Sequence, residues 1–370
     1  IVHAFWGQFH QTMGTGSLPS VAAGRVNFMF DYAGPSLAID TACSSSLVAV
    51  SFAFDALRAN VVSYALMCGT HSMVSANGAV DRRVANLLSM DGRCKTFDAD
   101  ADGFAQSEAC GVVGARVAMG HGRNHRRNDV GAVDRRRQSR GESSHDMLIV
   151  IVGNSVNQDG RSSALTAPNG PAQQAALRIA LLVASRDGFE DGVSTHGTGT
   201  ALGDPIEVGA IVAVASDMSA HGVVLEATKS QCGHSETAAG VVALVKTVCA
   251  LARRRRDAVV HLRRVNHHVS SITTWRRTSA MVSIPRQSTQ YLRHHETQSR
   301  TASCGISAFA FQGTNAHVFG RAHLRNAFYR LLSLPRRQAE RRRGAPAAPS
   351  LLPSLWLPSR TLSLLCPASS

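Results

Sequence analysis

Apolar positions Leu47, Val50, Phe54 and Leu57 recur three and four residues apart, which places them on one face of a helix. Just ahead of them, Leu37-Ala38-Ile39 reads as a short buried strand, so the chain is predicted to turn from strand to helix between Ile39 and Leu47. Leu148-Ile149-Val150-Ile151-Val152 is a continuous apolar run, the pattern of a strand buried on both faces as in parallel sheets. Val241, Val245, Val248 and Ala252 return to helical spacing. Residues Thr195 to Glu207 read as the end of a short strand, a glycine-rich loop and a helix start. There Asp204 is the expected N-cap, Pro205 the first helical residue and Glu207 the capping-box acid. Strands alternating with helices predict an α/β layered fold, and 370 residues with 44% apolar content suffice for a large core.

The polar residues at the turns carry the chemistry. Cys43, in Asp40-Thr41-Ala42-Cys43-Ser44-Ser45-Ser46, falls at the strand-to-helix turn. The unpaired N–H groups of a helix's first turn carry about half a positive charge, so a thiol placed there is expected to ionise more readily. Taken singly, a cysteine is more often a buried structural residue, and a loop histidine more often a backbone hydrogen-bonder. Two histidine motifs change that balance. His196 lies in Thr195-His196-Gly197-Thr198-Gly199-Thr200, and His234 in Lys229-Ser230-Gln231-Cys232-Gly233-His234-Ser235-Glu236, each at the edge of a loop rather than inside an apolar run.

Together these segments resemble the β-ketoacyl synthase family, in particular the ketosynthase domains of polyketide and fatty-acid synthases. The resemblance runs from Gly14-Thr15-Gly16 and Pro19 to Arg25, through the cysteine turn, Asp91 to Asp98, Val156 to Gly160 and Thr166 to Gly170, to both histidine motifs and Gly313-Thr314-Asn315-Ala316-His317. It implies a thiolase-like fold, layered α-β-α-β-α in two pseudo-equivalent halves. It further implies that Cys43 accepts an acyl chain as a thioester, that His196 and His234 donate to a thioester oxygen as it gains enolate charge, and that Lys229 and Glu236 support them. Phe311 matches the family's gating phenylalanine, and its N–H with that of Cys43 would form the oxyanion hole. No bound cofactor is implied; substrates would arrive on the phosphopantetheine of an acyl carrier protein. A homodimer and neighbouring synthase domains such as an acyltransferase are the implied partners.

Departures from the family pattern set further expectations. Ala310 and Gln312 stand where glycines are usual, which predicts a perturbed oxyanion site if either position needs positive φ. Ser107 and Ala109 likewise replace glycines. The chain starts with Ile1 shortly before the cysteine turn, so the first half reads as truncated. The corresponding division is 1–119 for the rest of the first half, 120–146 for a basic connector, 147–320 for the second half and 321–370 for a disordered tail. A noncatalytic thiolase-like remnant is the alternative from another class. Thiolase-type cleavage with coenzyme A ranks low, since it usually needs a second cysteine where this chain offers histidines.

Other readings fail on physical detail. Asp98 to Gly103 imitates a calcium loop, but its twelfth position is Ala109, with Glu108 one residue early. Gly197, Gly199 and Gly203 imitate a dinucleotide fingerprint, yet the loop is one residue too long for that pattern and Asp204 would meet the pyrophosphate. Eight cysteines include no Cys-x-x-Cys pair, so neither zinc nor a disulfide framework is indicated. The net charge of +14 resides in three stretches: 121–140 with seven Arg and two Asp, 253–300 with eleven Arg and two acids, and 321–370 with nine Arg and one acid. The rest of the chain is net acidic. With few aromatics among them, these stretches argue no specific nucleic-acid role and read as diverged, intron-derived or frame-shifted sequence. Lys246 interrupts the best apolar stretch, so no membrane span is expected, and the default compartment is cytoplasmic.

Overall fold

Burial separates the long strands and helices into two sheets with helices between them. The computed structural model describes residues 15–16, 18–74, 76–116, 149–186, 189, 192–218, 222–253, 255–274, 282–290 and 301–323. The connector 120–146 and residues 324–370 of the tail lie outside them. In chain order the first elements are α1 (Pro19–Phe30), α2 (Ser45–Arg58), β1 (Tyr64–His71), α3 (Ala76–Val84), β2 (Ala109–Arg116), β3 (Val150–Gln158), α4 (Gly170–Val183) and β4 (Gly192–Ser194). There follow α5 (Gly203–Asp217), β5 (Val223–Glu226), the one-turn α6 (Lys229–Cys232), α7 (Ala239–Arg253), β6 (Arg255–Arg256), α8 (His267–Thr274), β7 (Val282–Ser283), β8 (Thr289–Gln290), β9 (Thr301–Phe309) and β10 (Thr314–His323).

The central sheet has six strands in the order β3-β10-β9-β4-β5-β7. Its β10 runs antiparallel to both neighbours, β3 and β9, whereas β9, β4, β5 and β7 are parallel. The apolar run at 148–152 therefore enters an antiparallel edge strand, beginning at Val150 and extending to Gln158. It is apolar because both of its faces are covered, by α2 on one side and α4 on the other. β1 and β2 form a separate antiparallel ribbon, Tyr64 opposite Arg116 through His71 opposite Ala109. Helices α2 and α7 lie between ribbon and central sheet, and α4 with α5 and α8 cover the opposite face.

The described residues thus give the mixed α/β architecture in four layers, and the outer face of the ribbon, with Tyr64, Cys68 and Val112, is exposed. α1 buries none of its residues. Leu47, Val50, Phe54 and Leu57 are fully buried as their spacing requires, and with Val241 and Leu244 of α7 they form the core between the sheets. The two helices approach so closely at Gly240 that a Cβ there would lie 2.6 Å from Leu47 N. The short strand expected at Leu37-Ala38-Ile39 is absent. That segment has no strand beside it among the described residues, and Leu37 is 65% exposed.

Candidate active site

Cys43 sits in a 3-10 turn, Ala42–Ser44, that leads directly into α2. Ala42 has φ +53°, a strained conformation for a residue with a Cβ, and Asp40 Oδ1 accepts its N–H at 3.0 Å. The serines tie the turn together: Ser45 Oγ donates to Ala42 O at 2.6 Å and accepts Thr41 N–H at 2.9 Å. The sequence placed the thiol correctly at a helix start, but the expected easier ionisation does not result. Burial dominates and pushes the Cys43 thiol up to about 11, against the opposing pull of Lys229 and Arg82. At neutral pH Cys43 is therefore a neutral thiol.

Both histidine loops converge on it. His234 Nε2 lies 3.1 Å from Cys43 Sγ, and the His196 and His234 rings stand edge to face with centroids 5.5 Å apart. Their tautomers follow from their partners. Glu236 N–H can only donate, and it reaches His234 Nδ1 at 3.1 Å, so the neutral ring carries its proton on Nε2, facing the sulfur. Lys229 Nζ donates to His196 O at 2.6 Å and lies 3.4 Å from His196 Nδ1, which leaves the His196 proton on Nε2 as well. Burial, with Lys229 close by, holds both imidazoles well below the usual histidine range. The site therefore offers two neutral N–H donors rather than imidazolium ions.

The acids at the start of α5 do other work than capping. Neither acid caps this helix, whose first N–H, that of Gly203, goes to Thr200 Oγ1 at 3.2 Å; Asp204 accepts Phe97 N–H at 2.8 Å and Gly199 N–H at 3.1 Å, and Glu207 accepts His196 N–H at 2.7 Å and Gly197 N–H at 2.9 Å. They pin the histidine loop from behind. Burial raises Asp204 to about 6 and Glu207 to about 7. Gly199, at φ +78°, fits there because a Cβ would lie 2.8 Å from Lys95 N.

Lys229 is buried and its ammonium is pushed down by burial, against the attraction of Glu207. The backbone N–H of Phe311 reaches the Cys43 sulfur, and Phe311, 53% exposed, lines the same cavity. The strain expected from Ala310 and Gln312 does not arise: in that loop only Gly313 has positive φ, at +97°. Gln312 Oε1 instead accepts Thr314 N–H at 2.9 Å.

Three residues belong to the site that the sequence did not single out. The Glu236 carboxylate, expected as a supporting acid, is ion-paired to Arg82, accepts from Gln106 Nε2 at 2.8 Å and lies 3.4 Å from His71 Nε2. Nothing in local spacing signals that Arg82, Gln106 and His71 meet there. The cavity above Cys43 has a volume of about 860 Å³ and is lined by Cys43, both histidines, Thr198, Phe309 and Arg82 among others. Asp98 holds backbone instead of a cation, accepting Arg263 and Arg264 N–H at 2.6 and 2.9 Å. Glu226, on the strand after the glycine-rich loop's helix, is paired with buried Arg256 at 2.8 Å.

A half-buried thiol faced by two neutral imidazole donors, on this layered α/β scaffold, places the chain in the thiolase-like class. Comparison with known proteins agrees. The signature of the beta-ketoacyl synthase N-terminal domain matches residues 7–114, and that of its C-terminal domain residues 148–263. The chain belongs to the β-ketoacyl synthase family, among the ketosynthase domains of polyketide synthases. It is 38% identical over 315 residues to the spectinabilin polyketide synthase system protein NorA' of Streptomyces orinoci, covering 84% of this chain and 8% of that protein. It is 38% identical over 307 residues to erythronolide synthase EryA2 of Saccharopolyspora erythraea, covering 82% of this chain and 8% of the other. Among solved structures, the oxazolomycin ketosynthase domain OzmH KS7 of Streptomyces albus superposes with a TM-score of 0.71 at 28% identity, covering 83% of this chain and 49% of that one. The module 6 ketosynthase of the Bacillus subtilis bacillaene synthase gives 0.71 at 25% identity, covering 85% and 53%. The chain therefore spans about half of these solved ketosynthases and less than a tenth of the two synthases. No described helix is long and apolar enough to cross a membrane.

Proposed function

We propose that this chain carries a β-ketoacyl synthase activity, joining an acyl chain held on Cys43 to a malonyl-type thioester by decarboxylative Claisen condensation. One observation carries the reading: Cys43 Sγ is 3.1 Å from an Nε2–H donor of His234, with the His196 ring beside it in the same cavity. In the first step the Cys43 sulfur attacks the acyl thioester. Its proton passes to the departing pantetheine thiolate, and the N–H groups of Cys43 and Phe311 hold the oxyanion. In the second, the malonyl-type thioester loses carbon dioxide and its carbonyl oxygen gains enolate charge. Two neutral N–H donors in a dry site suit that charge, each worth on the order of 3 to 4 kcal/mol. The enolate carbon then attacks acyl-Cys43, the new carbon–carbon bond forms, and the Cys43 thiolate leaves and takes a proton.

The substrates would ride on the phosphopantetheine of an acyl carrier protein. A second copy of the chain and other synthase domains such as an acyltransferase are the partners this reading implies, in the cytoplasm. Incubation with an acyl-pantetheine thioester, followed by peptide mass spectrometry, is expected to place the acyl group on Cys43 and to show none after Cys43→Ala. An unmodified Cys43 would favour the noncatalytic alternative.

A further inference from the structure

We infer that Arg82 is a positioning residue of the thiol site: its guanidinium balances the Glu236 carboxylate beside Cys43 and helps hold the strained backbone that orients His234. Glu236 has φ +42°, which a non-glycine residue adopts only where its surroundings over-determine it. That conformation aims Glu236 N–H at His234 Nδ1, 3.1 Å away, and so sets the tautomer that presents Nε2–H to the sulfur. The anchors are on the side chain: Arg82 on one carboxylate oxygen and Gln106 at 2.8 Å on the other, with His71 3.4 Å from the oxygen that Arg82 holds. His71 is fixed in turn by a 2.9 Å hydrogen bond from Nδ1 to Ser107 O. Arg82 comes from α3, far along the chain, and also lines the cavity.

The charges facing Cys43 give this arrangement a measurable sign. Lys229 and Arg82 favour its thiolate and Glu236 disfavours it; Asp40 and Asp81 line the same cavity, and His196 and His234 are neutral. Removing Arg82 leaves the Glu236 carboxylate uncompensated, which raises the thiol further. Removing the Glu236 charge leaves Arg82 unopposed, which lowers it.

The test is the pH dependence of Cys43 alkylation by iodoacetamide, followed on the Cys43 peptide by mass spectrometry. Arg82→Met is expected to slow alkylation at fixed pH by roughly threefold to tenfold, because each unit of pKa is a factor of ten in thiolate. Glu236→Gln is expected to speed it, the double variant to return toward the wild-type profile, and Arg82→Lys to remain near it. A merely structural role would move both single variants in one direction, so a common direction overturns the inference. An unchanged profile in Glu236→Gln overturns it too, and needs no folded Arg82→Met protein. The consequence for turnover rests on Cys43 being the acyl acceptor, whereas alkylation reads the thiol itself. A chain that alkylates as expected yet takes no acyl group would refute the proposed function and leave the Arg82–Glu236 pairing standing.

Discussion

At the scale of single residues, the site works by excluding water from groups that would otherwise be charged. His234 and His317 illustrate two uses of a neutral imidazole. His234 faces the Cys43 thiol, whereas His317 is a buried residue of β10 opposite Ser307 of β9, its Nδ1 3.0 Å from Ser307 Oγ and its Nε2 without a partner. Burial alone lowers His317 to about 3. An unfolded chain takes up that proton near pH 6.5 and the folded one near 3, so stability is full above about 6.5 and falls as the pH drops toward 3. His196 and His234 act in the same sense, while the raised Asp204 and Glu207 lose stability in the opposite direction, as pH rises through about 6 and 7. His317→Gln is therefore expected to flatten the fall in urea midpoint between pH 6.5 and 4. An equally steep fall in the variant would remove His317 from the explanation. Cys43, His196 and His234 were legible in the sequence because each sits in a local motif. Arg82, Gln106 and His71 were not, because the carboxylate that gathers them is 154, 130 and 165 residues away along the chain.

At the scale of elements, periodicity succeeded where a helix buries one face and failed where pairing is non-local. α2 and α7 follow their apolar stripes, since helical hydrogen bonds are local and the stripe alone decides which side faces the core. The Leu37-Ala38-Ile39 run has strand composition but no neighbour to pair with among the described residues. Asp204 and Glu207 occupy capping spacing, yet the orphan N–H groups of the histidine loop claim them instead. Elements also position Cys43. Because a Cβ on Gly240 would press on Leu47 N at 2.6 Å and Leu47 Cβ at 2.7 Å, Gly240→Ala must push α7 from α2. Overpacking of this kind costs about 1 to 3 kcal/mol. The expected outcome is a lower urea midpoint together with slower acyl loading, because the turn leading into α2 carries Cys43 and the segment entering α7 carries His234. A variant as stable and as readily loaded as the parent would show that the close approach is not required.

At the scale of the whole molecule, the turn entering α2 supplies Cys43, α3 between the two ribbon strands in the chain supplies Arg82, and the segments around β4, β5 and β9 supply His196, Lys229 and Phe311. His234 and Glu236 lie on the segment that joins β5 to α7. The layered α/β class was legible from alternating strands and helices, whereas the mixed strand directions of the central sheet were not, because hydropathy records burial and not direction. What the assembly predicts is a division of labour between sulfur and imidazoles. The most direct test supplies an acyl-pantetheine thioester and then a malonyl-type thioester, and measures acyl-Cys43, carbon dioxide release and the elongated product in one experiment. Cys43→Ala is expected to abolish loading, while His196→Ala and His234→Ala retain loading and lose extension by roughly a hundredfold or more. Equal loss of loading and extension in all three variants would contradict the account.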